Sequence, residues 1–421
     1  MNTFSTCYLL KKNKTIYFRN KINSISIIHF ISAINYVLDL KYEKITVDFS
    51  GVKKVFPNGI LPLICAIEEL RLNGIKIYIV LPRQDDIRKL FRSVNWAYFL
   101  APEQFEKSES THDRHLVTRR FENAEEQKKV VGDFMDVILR NLSIPKDIIS
   151  GIEWSINEIT DNVLNHANSK NGGLIQATTY VKEKKIVFAV IDSGRGILKS
   201  MQEGFPDLRT DLDAIGEAIK AGVTRNPKYG QGNGLAGSLR ITTFTGGSLE
   251  ILSGNGRMKV TENENAKRKL KVFYNGTMVC GEINLVEDFS ISNALDFDGK
   301  NNYIPLDIID TKYEMEEEDC LLLIMKDETT GFGSRKSGQQ IRRKVKNLLS
   351  AKPNYPIIID WNGIPVISSS FADEFIGKLF LEMGAMTFMT VVKNKYMEPL
   401  IRGLLDKAIA QRLTQALDDE A

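Results

Sequence analysis

The sequence predicts a mixed α/β and α+β protein: a small α/β region at each end and a larger α/β sandwich between them. Three observations carry this. Apolar strand-like runs alternate with helix-patterned stretches over residues 1–100, and the same plan returns over residues 318–412. The middle of the chain opens on a long stretch with apolar residues at helical spacing, then turns to strands bounded by glycine clusters. At roughly 100–200 residues per domain, 421 residues also exceed one core. The expected boundaries are a first domain over 1–102, a linker over 103–126, a central domain over 127–288, a linker over 289–317 and a last domain over 318–421.

In the first region, residues 15–18 and 45–49 read as strands and 24–38 as a helix. A helix is expected over 59–73, closed by Gly74 just past its end. A buried strand over 75–81 is stopped by Pro82, and a helix over 85–93 starts on Asp85 and Asp86. In the last region, strands are expected at 321–325, 357–360 and 388–392, with helices at 337–349, 369–382 and 396–411. Asp48 and Asp360 close equivalent strands, and Gly74 and Gly384 follow equivalent helices. This parallel admits either an old duplication or a chance likeness between common elements.

Composition narrows the class. The 56 basic and 53 acidic residues leave a net charge of only +3, which argues against nucleic acid and against an anionic membrane surface as partners. Cys7, Cys65, Cys280 and Cys320 are far apart, without CxxC spacing or a cluster with histidine. That argues against a metal centre or disulfide framework and fits a reducing cytoplasm. The longest apolar runs are too short to span a bilayer.

The candidate chemistry sits in the middle. Over residues 148–167, Ile152, Ile156, Ile159 and Val163 form one helical stripe, with Glu158, Asn162 and Asn165 along its flank. Glu158 and Asn162, one turn apart, point the same way. Such a carboxylate and amide oxygen suit a hydrated Mg²⁺, and the carboxylate could orient or deprotonate an attacking water. As an isolated motif the pair reads first as a solvated polar face. A strand over 185–191 then ends in Asp192-Ser-Gly-Arg-Gly196. Asp192 could accept a hydrogen bond from an exocyclic amine, and Gly194 and Gly196 would let a ligand approach the backbone; a tight turn with a solvated Asp is the simpler alternative. Finally, Gly230-Gln-Gly-Asn-Gly-Leu-Ala-Gly237 runs into a helix over 238–243. Glycines before a helix N-terminus make an anion site. The loop lacks GxxxxGK[ST] spacing, and its Gly232, Gly234 and Gly237 follow no strand, which excludes Walker and Rossmann readings.

In this order the motifs resemble the GHKL superfamily of gyrase B, MutL, large heat-shock chaperones, histidine kinases and anti-sigma serine kinases. Glu158-x-x-x-Asn162, Asp192-x-Gly-x-Gly196, Gly230-x-Gly-x-Gly234 and Gly276-Thr277 carry the likeness, over about residues 127–285. It implies a Bergerat-type ATP-binding sandwich. Asn162 would hold Mg²⁺, and Glu158 would act as base near the γ-phosphate. Asp192 would bind adenine with Thr277 assisting through a water. Gly194 and Gly196 would shape the adenine pocket, and Gly230, Gly232, Gly234 and Leu235 would cradle phosphates beside Asn165. Residues 197–229 would form a mobile lid offering Thr224 and Arg225 to the phosphates. His112 and His115 lie in a polar segment unlike the phosphoacceptor hairpin of histidine kinases, so the chain looks closer to the anti-sigma type.

Residues 45–52 with Phe56-Pro-Asn-Gly-Ile60 resemble the STAS domain of anti-sigma antagonists, with Asn58 at the phosphoserine position and therefore no phospho-switch. Residues 357–361 with 367–375 resemble a second STAS-like domain, with Ser370 at that position, where it reads first as a helix N-cap. Arg342, Arg343, Lys344 and Lys346 read as a solvated basic helix face or a contact for an acidic partner or phosphate. Together these imply a cytoplasmic regulator in which Mg-ATP binding or hydrolysis controls how the STAS-like domains meet a protein partner or a second copy in a homodimer. The alternatives are a serine/threonine kinase acting on a STAS serine, and a nucleotide-gated scaffold without catalysis.

Overall fold

The structure is a computed structural model that describes residues 7–10, 14–108, 115–220, 233–297, 308–315, 318–329 and 331–420. Among the described residues it is a mixed α/β protein with three sheets. The chain divides into two compact units, residues 1–134 with 154–303 and residues 135–153 with 304–421.

The first unit opens with β1 (Cys7–Leu10), β2 (Thr15–Ile22), α1 (Ser26–Asp39), β3 (Lys44–Val55), α2 (Pro57–Leu72), β4 (Lys76–Val80), α3 (Asp85–Ser93) and α4 (Trp96–Leu100). The sheet runs β1-β2-β3-β4, antiparallel at β1/β2 and parallel thereafter. Ile45, Val47 and Phe49 alternate inward on β3, and α1 buries Ile27, Phe30, Ile31, Ile34 and Val37 on one stripe. Pro57 begins α2, where an N–H would have no partner.

The chain continues with β5 (His115–Phe121), α5 (Ala124–Asn141), α6 (Lys146–Asn162), β6 (Gly173–Tyr180), β7 (Lys185–Asp192), α7 (Gly196–Met201), α8 (Asp211–Ala218), α9 (Gly234–Phe244), β8 (Ser248–Thr261) and β9 (Asn265–Asn284), residues 135–153 of α5 and α6 belonging to the second unit. These strands form an antiparallel sheet in the order β5-β6-β7-β9-β8. One face carries Leu174, Ala189, Ile191, Leu252, Met278 and Cys280 into a single apolar core with the first sheet and its helices. Polar bonds pin that contact. The Trp96 indole N–H and the Thr118 hydroxyl both donate to the Gln176 amide oxygen, at 2.7 and 3.1 Å. Glu250 accepts from Arg257 at 2.7 Å and from Asn58 at 3.5 Å.

The second unit holds α11 (Ile308–Tyr313), which follows the short α10 (Ile291–Ala294) of the first unit. It continues with β10 (Glu314–Met315), β11 (Cys320–Ile324), α12 (Met325–Glu328), α13 (Arg335–Ala351), β12 (Ile357–Asp360), α14 (Ser369–Ala372), α15 (Lys378–Met383), α16 (Ala385–Val391), β13 (Val392–Lys395) and α17 (Pro399–Glu420). A π-helical turn, Asp373–Gly377, joins α14 to α15. Its sheet, β10-β11-β12-β13, repeats the first: one antiparallel pair, then parallel strands. The Asp48 carboxylate accepts from the Ser50 N–H and that of Asp360 from the Asn362 N–H, each at 2.7 Å. Gly74 and Gly384 both follow their helices with positive φ, 83° and 77°. The repeated plan read from sequence is thus present in strand order and turn chemistry.

Four expectations change. The stretch expected as a linker over 103–126 carries β5, whose Leu116, Val117, Thr118 and Phe121 are buried; charged flanks masked them. The strand expected at 388–392 is helix α16 followed by β13. Its β-branched run suggested a strand, but Gly384 restarts the helix and Phe388 packs its ring on Phe380. Arg342 and Lys344 are buried rather than solvated. Lys344 Nζ donates to Asp136 at 3.0 Å and to Glu328, and Arg342 bonds Glu374 at 2.9 Å. Ser370 is not the N-cap of α14; Ser368 is, accepting the Phe371 N–H at 3.0 Å.

Lys344 and Asp136 set a testable cost. Burial opposes the charge on both, pulling the Lys344 ammonium down; Lys344 and Lys312 nevertheless outweigh burial at Asp136 and hold its carboxyl well below the usual range. Lys344→Met should destabilise the second unit by about 3 kcal/mol in urea melts, because two carboxylates lose their fully buried cation and keep Lys312 and Arg140 as cationic partners. Gln176→Leu should cost the first unit about 3 kcal/mol by leaving an indole N–H and a hydroxyl unpaired.

Candidate functional site

β7 is the middle strand of the five-stranded sheet, and all but its first residue and Val187 are buried. Asp192 ends it, only 4% exposed, facing Thr277 across the β7/β9 pair. Its carboxylate accepts the Gly194 N–H at 2.8 Å and the Thr277 N–H. Burial pushes its pKa up to about 7, against the pull of those two bonds. A polar group placed so deep at a strand end keeps an acceptor where the apolar core stops.

The flanking helix brings the second group of residues. α6 buries Ile152, Ile156 and Ile159, while Glu158 and Asn162 lie half-buried on its flank, as the spacing predicted. The helix does not run on to 167 as a plain α-helix. Val163–Ala167 is a π-helical turn, a feature that recurs at functional sites, and Asn165 on it is exposed. The turn's end abuts the Asp192 loop: a Cβ on Gly194 would lie 2.1 Å from the Ala167 carbonyl oxygen. Arg195 closes the helix end, its N–H donating to Ala167 and its Nε to the His166 carbonyl, each at 2.8 Å.

α9 supplies the third. Gly234 is its first residue, and a Cβ there would lie 2.4 Å from Glu158 Oε2. The helix N-terminus and the Glu158 carboxylate are therefore neighbours. Burial, then the Asp161 charge, push the Glu158 pKa up to about 7, near neutrality, which suits a general base. Leu235 follows on the same turn, half-buried.

The structure thus gathers Asp192, Gly194, Gly196 and Thr277 at the end of β7, and sets Glu158, on the α6 flank with Asn162, against Gly234 at the start of α9 with Leu235 next in line. Gly194 abutting Ala167 links the first group to the end of the second group's helix. Thr224, Arg225, Gly230 and Gly232 lie outside the described residues, as does His112; His115 opens β5, its Nδ1 3.1 Å from the Thr178 hydroxyl. The span expected as a lid over 197–229 begins with two packed helices. α8 buries Ala214 and Ile215, and Asp211 accepts the Asn255 N–H of β8 at 3.0 Å.

Two residues escaped the sequence reading. Ser253, fully buried on β8, accepts the Ile197 N–H at 2.9 Å, donates to the Gly276 carbonyl at 3.1 Å and sits 3.3 Å from the Thr277 hydroxyl, joining three motifs at one atom. Arg195 looked like the variable position of a glycine turn. A lone serine in a strand gives no signal of this kind; an arginine between two loop glycines gave a weak one.

The arrangement offers an acceptor for an amine at one end and, at the other, a helix N-terminus beside two oxygen donors, Glu158 and Asn162. A phosphate at the helix end would meet the Glu158 carboxylate, and a divalent cation between them would remove that repulsion.

The raised acids set the pH response. A buried acid with a folded pKa near 7 and an unfolded one near 3.9 holds its proton only when folded across that window. The contribution of such an acid to stability is therefore greatest at low pH and falls as pH rises to about 7, by about 4 kcal/mol for three units. Asp192→Asn keeps an acceptor for the Gly194 N–H and stays neutral. It should raise the melting temperature at pH 8 by several degrees and flatten the fall between pH 5 and 8, as thermal melts would read; a lower melting temperature at pH 8 would contradict the burial argument.

Residues 337–395, from within α13 to the end of β13, match the STAS-like domain of unknown function (DUF4325). No ATPase family matches the central residues, and no curated protein matches the chain. No helix among the described residues is long and apolar enough to cross a membrane.

Proposed function

We propose that this chain binds ATP with Mg²⁺ in a Bergerat-type central domain, and that nucleotide binding or hydrolysis controls the interactions of STAS-like domains on either side. The observation that carries the proposal is the buried Asp192 carboxylate at the end of β7, with the Glu158–Asn162 flank and the α9 N-terminus beside it. Asp192 would accept the exocyclic amine of adenine, with Thr277 beside it. Asn162 would hold Mg²⁺, which supplies positive charge to the phosphates. Glu158, its pKa near 7, would take a proton from the attacking group. The family match at 337–395 supports the C-terminal module, and the repeated strand order supports the same reading of residues 1–102. Such a chain would work in the cytoplasm on a protein partner or a second copy of itself.

A specific observation also favours phosphoryl transfer to serine. Ser370 is only half-buried, at the same spacing after Asp360 as Asn58 after Asp48, with its hydroxyl 3.0 Å from that of Ser368.

Incubation with Mg-ATP followed by phosphate release assays and intact-mass spectrometry separates the outcomes. Free phosphate that disappears in Glu158→Gln identifies an ATPase. Phosphoserine that disappears in the same variant identifies a kinase. Binding with neither identifies a nucleotide-gated scaffold. Asn162→Ala should weaken Mg-ATP binding at least tenfold (on the order of 1.4 kcal/mol) while leaving magnesium-free binding little changed.

A further inference from the structure

Asp192 is held by more than its own strand. β9 leaves its pairing with β7 at Thr277, turns at Gly276 with φ 109°, and carries Tyr274 to the Asp192 peptide. Gly276 allows the approach, since a Cβ there would lie 2.0 Å from the Asp192 carbonyl oxygen. Tyr274 is 2% exposed, and its hydroxyl donates to that carbonyl at 3.3 Å. The same hydroxyl meets Cys65 of α2. Burial pushes the Cys65 thiol far up, so it keeps its proton. The Tyr274 O–H thus donates to the Asp192 carbonyl with the Cys65 thiol beside it in the same dry site.

α2 belongs to the first sheet's helical layer and packs on β7, β9 and β6. A residue of the first α/β layer, Cys65, therefore lies against the hydroxyl that holds the main chain aiming the Asp192 carboxylate. Core packing needs only the ring; the hydroxyl in a dry site must have a partner, and the partner is this peptide.

We propose that Tyr274 is a positioning residue for Asp192, and that through Cys65 it makes base recognition depend on how α2 packs against β7. The proposal rests on the ATP-binding reading above. It adds that the N-terminal layer is part of the nucleotide site rather than a passive cover.

The test uses the full chain, with ATP and GTP, each with Mg²⁺, titrated calorimetrically, and with thermal melts of the nucleotide-free protein from pH 5 to 8. Tyr274→Phe keeps the ring and removes the hydroxyl. It should weaken ATP about fivefold to tenfold, the worth of one buried hydrogen bond, and lower the preference for ATP over GTP. It should also flatten the fall in stability between pH 5 and 8, because a loosened Asp192 peptide admits water to the carboxylate; the part due to Glu158 remains. Tyr274 and Cys65, the titratable groups facing Asp192, are both pushed up and stay neutral over this range. Cys65→Ala should shift both readouts the same way by less. An unchanged ATP/GTP ratio or an unchanged pH slope in Tyr274→Phe would overturn the proposal. If the wild-type chain binds neither nucleotide, the functional reading fails and the pH slope alone decides: unchanged, it refutes the positioning of Asp192 by Tyr274; flattened, it upholds it.

Discussion

Burying Asp192 at the end of the central strand is the constraint on which the rest of the first unit depends. A carboxylate in so dry a place is tolerable only with its hydrogen bonds arranged, and the surrounding motifs make that arrangement. Gly194 turns its N–H back to the carboxylate, Thr277 supplies a second N–H, and Ser253 gathers the loops that carry both. Gly276 and Gly194 are the points where the backbone comes too close for any side chain. Burial raises the Asp192 pKa, so this carboxyl's own contribution to stability falls toward neutral pH. A strained polar site of this kind is what a ligand bringing its own donor would relieve.

The layer behind the sheet follows from the same arrangement. The five-stranded sheet has a second apolar face, and in this chain α1 and α2 with the first sheet cover it in one continuous core. The Gln176 and Glu250 bonds tie that cover to the sheet at Trp96 and Asn58. The second unit repeats the first sheet's strand order but solves its own burial differently. There α13 buries Arg342 and Lys344 in ion pairs with Glu374, Asp136 and Glu328. The two related plans therefore differ in what their helices bury.

Much of this was legible in the residues. Apolar patterning placed α1 and α6, with one apolar stripe each, and α2, β7 and β12, as near-continuous buried runs, closely; β3 runs six residues past the strand expected at 45–49. Of the motif residues, Asp192 faces Thr277 across the β7/β9 pair and Glu158 lies against Gly234 at the start of α9. What was hidden was hidden for physical reasons. β5 is short and flanked by charges, and α16 is built from strand-favouring residues held helical by its context. The burial of Lys344 depends on Asp136 and Glu328, distant in sequence from it and from each other, and a basic run on a helix looks solvated until such partners are known. Ser253, Tyr274 and Arg195 act through contacts between strands and loops that local pattern cannot report.

The central claim is that Asp192 reads an adenine base. Calorimetric titration of Mg-ATP against Mg-GTP into the full-length chain, repeated with Asp192→Asn, tests it most directly. The account predicts saturable ATP binding, GTP binding at least tenfold weaker, and loss of ATP binding in the variant. Equal affinity for the two nucleotides, or ATP binding that survives in Asp192→Asn, would contradict it.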